Sequence, residues 1–494
     1  MFFQNIFLPF RRRNDITIKR KELLDGMNTP QFENKLFRTL GQVADDLGVK
    51  VYVVGGYVRD RFLQRGDDRD IDFVVEGDGP AYAERVAETL GAQKVAIYRR
   101  FGTAMVRYNH RTLEFVGARK ESYRGDSRKP DVEAADLQTD LSRRDFTINA
   151  MAVALNESRY GELMDPFRGL DDLQQGLLRT PREPKQTFFD DPLRIMRAIR
   201  FSCQLKFEIE ETTRIGLATE AHRLQIISQE RITDELLKIL MCEEPSIGFR
   251  CMEETGVLDI ILPEIANLKG VDQVGKHRHK DVFYHTIKVL DNLAKVSDKL
   301  PLRITALFHD VAKPATKAFD PQVGWTFHGH EELGARMFKR IGRRLKLSND
   351  TIQYVMKLIR LHLRPIHLSE EGVTDSAIRR LIFNAGNDID DLITLCRADI
   401  TSGNPKRVKQ HLANFDIVVQ RINEVEEKDR LRNFQPPVRG DEIMQVLGLN
   451  PGPKVGKIKN AIEEAILNGD IPNEHDAAFD YMMQIKDEIL GETP

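Results

Sequence analysis

Across 494 residues the chain carries only four cysteines (Cys203, Cys242, Cys251 and Cys396), and no two of them form a Cys-x-x-Cys pair. That argues against a disulfide framework or a structural zinc knuckle, and for a reducing compartment, the cytoplasm. No apolar run approaches the roughly 20 residues needed to span a bilayer. The opening stretch, Met1 to Phe10 followed by Arg11-Arg12-Arg13, runs apolar then basic. A secretory signal has the reverse order, so residues 1–28 read as a loose N-terminal extension. Charge of one sign is missing too: the formal net charge is −2, and any nucleic-acid binding must come from local basic patches. No internal repeat or low-complexity tract is visible. What remains is an ordinary soluble composition, 41% hydrophobic and 30% charged. The chain is too long for one compact core, so about two to four domains are expected.

The sharpest feature is Val53-Val54-Gly55-Gly56-Tyr57-Val58-Arg59-Asp60 followed by Arg69-Asp70-Ile71-Asp72-Phe73-Val74-Val75. Alternate side chains of a strand share a face, so Asp70 and Asp72 point one way and Ile71 the other. Two carboxylates aimed at one spot repel unless a cation lies between them, and Mg²⁺ takes one or two carboxylates plus substrate phosphates. Paired glycines let backbone N–H groups approach a triphosphate. Together these predict nucleotidyl transfer assisted by two metal ions. Glu114, on a further apparent strand, is a third carboxylate that either completes the metal site or is simply solvated.

Hydrophobic spacing predicts a helix over about 30–50, strands at 51–54 and 71–75, and a helix over about 80–90. Strands follow at 94–97, 103–108 and 112–117. After about Asp165 strand signals nearly vanish and helical character runs to the end, with Phe434-Gln435-Pro436-Pro437 as a linker. The fold class is therefore α+β, a small mixed-sheet head followed by a long all-α body. The expected domains are a head at 29–170, a helical neck at 171–265, a helical domain at 266–432 and a helical tail at 433–494.

Two further segments carry chemistry. Ser142-Arg143-Arg144-Asp145-Phe146-Thr147-Ile148-Asn149 offers guanidinium groups that match phosphate, with Asp145 and Asn149 suited to ribose hydroxyls. Asp191, Arg194, Arg197 and Arg200 recur at helical spacing along one face. Where a carboxylate lies beside a guanidinium, the carboxylate accepts from an exocyclic amine and the guanidinium donates to the adjacent ring nitrogen. Cytosine and adenine offer that pattern; uracil and guanine offer the reverse, at a cost of roughly 1–3 kcal/mol per mismatched group.

In this order and spacing, Gly-Gly-x-Val-Arg-Asp, Asp-x-Asp, Arg-Arg-Asp-Phe-Thr-Ile-Asn-Ala and Asp-Asp-x-x-Arg resemble the motifs of the class II tRNA nucleotidyltransferase/poly(A) polymerase family. The resemblance covers about residues 50–260. It implies a polymerase-β-like head with helical neck, body and tail, acting on tRNA with CTP, ATP and Mg²⁺. By motif, Gly55, Gly56 and Arg59 would hold the triphosphate, and Asp70 and Asp72 the metals. Arg144 and Asp145 would contact phosphate and sugar, Asp191 and Arg194 would read the base, and Arg197 and Arg200 would meet phosphates. The family's last motif usually begins Glu-Asp; here it begins Asp190-Asp191. The polar segment after Glu114, Ala118 to Pro130, matches a flexible loop that the family needs to add the final A, which favours full CCA addition.

His285, His309-Asp310, His330, His362 and Asp399 are ordered as in the HD phosphohydrolase superfamily over about residues 280–400. That resemblance implies a divalent metal, such as Ni, Mn or Mg, and hydrolysis of phosphate-ended or cyclic-phosphate RNA, with His328 competing with His330 as a ligand. Lys406 to Lys409 and Lys454 to Lys459 read either as phosphate contacts or as solvated helix faces. Two rival readings are a poly(A) polymerase, disfavoured by the lack of a strongly basic C-terminal extension, and an HD phosphohydrolase whose transferase half only binds RNA. No membrane partner is expected.

Overall fold

The computed structural model describes residues 32–66, 69–92, 94–99, 102–124, 127–273, 280–322, 324–370, 374–401, 404–429 and 437–491. The N-terminal extension, and the expected linker apart from Pro437, lie outside these residues. The chain forms two compact units, Met1–Arg223 and Leu224–Pro494.

In the first unit, helix α1 (Lys35–Leu47) begins where the Asn34 side chain accepts the Leu36 N–H at 2.8 Å. It stops at Gly48, whose φ of 67° ends the helix in the left-handed region. Strand β1 (Lys50–Val54) leads through Gly55 into the short helix α2 (Gly56–Phe62). Strand β2 (Asp70–Glu76) is followed by α3 (Gly79–Leu90), whose first turn is capped by the Asp78 carboxylate. Three strands come next: β3 (Val95–Tyr98), β4 (Thr103–Tyr108) and β5 (Arg111–Gly117).

β6 (Arg119–Arg124) and β7 (Ser127–Ala134) form an antiparallel hairpin where the sequence reading expected a flexible loop. The segment is too polar to display the apolar alternation that marks a half-buried strand. Helix α4 (Leu137–Ser142) and two short strands, β8 (Ala152–Ala154) and β9 (Leu163–Met164), follow. The main sheet has the order β3-β4-β5-β2-β1-β8-β9 and is antiparallel except at β2–β5.

One face of this sheet is aromatic. Phe73 and Phe115 stack with ring centroids 4.9 Å apart, and Phe37 and Tyr82 pack edge-on against them. The other face buries Tyr52, Val54 and Val74 with Leu137 and Leu141 of α4. Asp72 belongs to that second face, because it alternates with Phe73 and pairs with Val54 across the ladder. The unit continues through helices α5 (Pro184–Asp190) and α6 (Leu193–Leu205).

The second unit is largely helical. Helices α7 (Val282–Ala294) and α8 (Leu300–Phe308) pack together, and α8 is buried from Leu302 onward. Its buried Arg303 donates to the carbonyls of Ser297, Leu240, Cys242 and Ala294, so the charge is fully accommodated. A small antiparallel hairpin, β10 (Ala318–Asp320) and β11 (Gly324–Thr326), interrupts the helices and was not anticipated from sequence. Beyond it come α9 (His330–Arg344), α10 (Asn349–Leu361) and α11 (Ile389–Asp399). The last helices pack around their own core of Val438, Ile443, Ile458, Ile462, Ile466 and Met482.

Candidate active site and metal centre

The strand period brings the three head carboxylates together. Asp70 pairs with Thr112 and Asp72 with Glu114 across the parallel β2–β5 ladder, so all three project on the same face. Burial raises the pKa of Glu114, and the charges of Asp72 and Asp70 raise it further. Asp72 behaves alike. Crowding by the surrounding protein lifts its pKa and Asp70 adds to the rise, while Arg144 pulls it back. Both strand aspartates remain open to solvent. Carboxylates crowded on one strand face form a site that favours a bound cation.

Gly55 completes the pocket. Its φ of 75° and ψ of −138° suit only glycine. A methyl group there would lie 3.1 Å from a guanidinium nitrogen of Arg144 and 3.6 Å from the Asp72 carboxylate. Backbone, arginine and metal-site carboxylate therefore converge within contact distance. Arg144 is held by Asp140, which also takes two hydrogen bonds from Arg143. Asp140 is fully buried, and despite that burial Arg144 and Arg143 keep its carboxyl below the usual range. Sequence reasoning passed over Asp140, although it lies three and four residues before the arginines it holds, a spacing that places them together on a helix.

The remaining arginines are more committed to protein partners than the motif reading implied. Arg59 is only 5% exposed. Its guanidinium grips the Asp60 carboxylate at 2.9 and 2.8 Å and donates to Asn149 at 2.7 Å. Asn149 in turn donates to Asp145 at 3.0 Å, and Asp145 accepts from Arg197 at 2.8 and 2.5 Å. Burial opposes the Asp145 charge, but Arg197 and Asn149 hold its carboxyl far below the usual range. The result is one continuous chain, Asp60–Arg59–Asn149–Asp145–Arg197, joining the glycine turn to helix α6.

Phe201 packs at the centre of this network, with the guanidinium carbons of Arg59, Arg197 and Arg200 at 5.0, 5.4 and 4.1 Å from its ring. Arg200 also donates to Gln204. Asp191 lies between α5 and α6, its carboxylate accepting the Leu193 N–H, and Arg194 is buried one turn on. Asp190, where the family's motif usually has Glu, is held by Gln186 at 2.7 Å and Arg182 at 3.3 Å.

The second unit gathers all six residues expected of the HD pattern. His285, His309 and Asp399 form one set of converging donor atoms, and Asp310, His330 and His362 form another. Asp310 faces both: Oδ2 lies 3.2 Å from His309 and 3.6 Å from His285, and Oδ1 lies 3.4 Å from His330 and 3.8 Å from His362. His328 is exposed and does not join either set.

The ring orientations are fixed from behind. His309, His330 and His362 each direct Nδ1 to the carbonyl three residues earlier, at 2.8, 2.8 and 2.6 Å, and His285 directs Nδ1 to the Thr401 hydroxyl at 2.8 Å. An Nδ1–H donated to a carbonyl leaves Nε2 with its lone pair facing inward. Nε2 of His309, His330 and His362 and Oδ1 of Asp310 are buried and make no hydrogen bond. Buried polar atoms without hydrogen bonds are rare, and four facing one another fit a divalent cation.

The same packing sets the proton affinities. Burial opposes a proton on His309, but Asp310 and Asp399 carry its pKa up to about 10, so a cation at its Nε2 takes the place of a proton, while burial and the His309 charge push His362 down to about 3. Lys313, three residues after Asp310, donates to it at 2.7 Å and was not singled out from sequence.

Family models for the poly A polymerase head domain, for a probable RNA and SrmB-binding site of polymerase A, and for the HD domain match residues 51–179, 206–269 and 282–403. The chain is 34% identical over 351 residues to an A-adding tRNA nucleotidyltransferase of Deinococcus radiodurans, covering 69% of this chain and 78% of that one. It is 31% identical over 437 residues to a CC-adding tRNA nucleotidyltransferase of Thermus thermophilus, covering 86% and 92%. Its fold resembles that of a Thermotoga maritima CCA-adding enzyme solved with tRNA, with a TM-score of 0.58, 24% identity, and 91% and 95% of the two chains covered. No described helix is long and apolar enough to cross a membrane.

Proposed function

Because the chain belongs to the tRNA nucleotidyltransferase family, with a poly(A) polymerase-type head and an HD domain, we propose that it adds and repairs the 3′-terminal CCA of tRNA without a nucleic-acid template. CTP and ATP are the donors and pyrophosphate is the leaving group. The observation that carries this reading is the convergence of Gly55, Arg144 and Asp72 beside the row shared by Asp72 and Glu114. Such a site suits a triphosphate whose α-phosphate faces the carboxylates.

Divalent metal, read here as Mg²⁺ held by Asp70 and Asp72, supplies activation of the tRNA 3′-hydroxyl and neutralisation of the pyrophosphate charge when bound. The protein's own groups then have distinct tasks. The Gly55-Gly56 turn lets backbone N–H groups approach the phosphates. Arg144, steadied by Asp140, meets the triphosphate. Asp191 and Arg194 read the base edge. Arg59 and Asp145 act through the network that ends on Arg197, holding the glycine turn and helix α6 in one geometry, and Arg200 stays near phosphate. Glu114 keeps negative charge beside the metal position.

The chain's similarity to both an A-adding and a CC-adding relative does not by itself select a nucleotide. An Asp–Arg pair suited to both C and A supports full CCA addition.

For the second unit we propose a divalent-metal phosphohydrolase centre, with His285, His309, Asp310, His330, His362 and Asp399 as ligands and Ni, Mn or Mg as the ion. Its orphaned inward-facing nitrogens favour this reading. The division into head, neck, HD domain and tail, and a cytoplasmic location, belong to the same proposal.

Paired substitutions test it. Asp72→Ala abolishes nucleotide addition and spares phosphate release from phosphate-ended RNA, and Asp310→Ala does the reverse. Survival of nucleotide addition in Asp72→Ala would remove the head assignment.

A further inference from the structure

Beside the metal centre of the second unit is a feature that the proposed reactions do not use. The β10–β11 hairpin places Phe319 directly opposite Trp325. Side chains paired across an antiparallel ladder lie on one face. The two rings meet edge to face with centroids 5.2 Å apart, yet Phe319 is 63% and Trp325 37% exposed. The Lys317 ammonium lies 4.5 Å from the Trp325 ring centre.

Both ends of this hairpin lead into the metal centre. On the incoming side, Lys313 bonds Asp310 at 2.7 Å and lies 5.7 Å from the Phe327 ring. On the outgoing side, the Phe327 carbonyl is the atom that orients His330, at 2.8 Å. Trp325 is two residues from Phe327, a separation of about 7 Å along an extended chain.

We propose that Phe319 and Trp325 form a stacking platform for the terminal base of a single-stranded RNA whose end phosphate enters the HD centre, with Lys317 meeting the backbone. The proposal rests on the phosphohydrolase reading of that centre and names the side chains that hold the RNA end beside it. Exposed aromatic rings beside a lysine are the means by which proteins hold unpaired bases without reading sequence. A cross-strand aromatic pair also steadies a short hairpin, but that role leaves the exposure of both rings unexplained. Asp320 is the one acidic side chain among the described hairpin residues, and it lies next to the tip, on the far side of the pair from the metal centre.

Trp325 is the only tryptophan of the chain, so its fluorescence reports this platform alone. The full-length protein in Mg²⁺ is titrated with the RNA dinucleotide ApA carrying a 3′-phosphate, and phosphate release is followed in parallel. The expected result is saturable quenching, weakened about tenfold in Kd by Phe319→Ala and restored by Phe319→Tyr. Nucleotide addition to tRNA and the Tm of the full-length protein are unchanged in both variants, which shows that they fold. Inorganic phosphate alone gives no quenching.

Quenching without phosphate release keeps the platform and removes the phosphohydrolase reading. Phosphate release with no quenching, and the same rate in Phe319→Ala, keeps the hydrolase and overturns the platform. A fluorescence change that follows protein concentration without RNA assigns the rings to a second copy of the chain, and overturns it too.

Discussion

Asp140 decides how the head presents its arginines. It is fully buried, accepts from both Arg143 and Arg144, and so fixes the Arg144 guanidinium, which reaches the Gly55–Asp72 pocket. Removing one partner of a buried charge pair leaves the other uncompensated, at about 3 kcal/mol. Asp140→Asn is expected to destabilise the fold by about that amount in urea titration, and to raise KM for CTP and ATP. The sign of the pH effect follows from the depressed carboxyl. Its folded pKa lies below its unfolded value, so its stabilising contribution is complete above the unfolded pKa of about 3.9 and is lost as pH falls through the folded value. The stability difference between wild type and Asp140→Asn should therefore shrink below about pH 4. An unchanged difference across that range would show that the charge is not what Asp140 contributes.

Among the elements, the turn from β1 into α2 has little freedom. Gly55 holds φ 75° and ψ −138°, and a side chain there meets Arg144 at 3.1 Å. Gly55→Ala combines backbone strain of about 1–3 kcal/mol with displacement of Arg144. The predicted outcome is a drop in kcat of at least tenfold, with the circular dichroism spectrum retained; full activity would mean that the turn does not shape the triphosphate site.

The same scale explains what was legible in the sequence. Asp70 and Asp72 were readable because a strand has a period of two, and the arginines of α6 because a helix has neighbours at three and four. The tie of Arg59 to Asn149 spans 90 residues, and no local period encodes it. The carbonyls that turn His309, His330 and His362 inward were equally hidden, because they depend on which rotamer the packed helices allow. The β10–β11 hairpin is three residues a side, too short for alternation to register.

Across the whole molecule, the proposed function puts two chemistries on one chain, each inside its own compact unit: nucleotidyl transfer in Met1–Arg223 and a metal centre in Leu224–Pro494. Both candidate sites were legible in the order of their residues, since each draws them from widely spaced segments in a recognisable succession. If the inward-facing histidine nitrogens hold a divalent ion, adding Mn²⁺ to chelator-treated protein raises Tm, and Asp399→Asn reduces that rise. An equal rise in the variant would place the stabilising ion elsewhere.

CCA addition is decided by a tRNA transcript lacking its last three nucleotides. It is incubated with the purified protein, Mg²⁺, CTP and ATP, and its 3′ ends are sequenced. Growth is expected to stop at CCA. A run of A residues, or an end that stays unchanged, would rule out CCA addition by this chain.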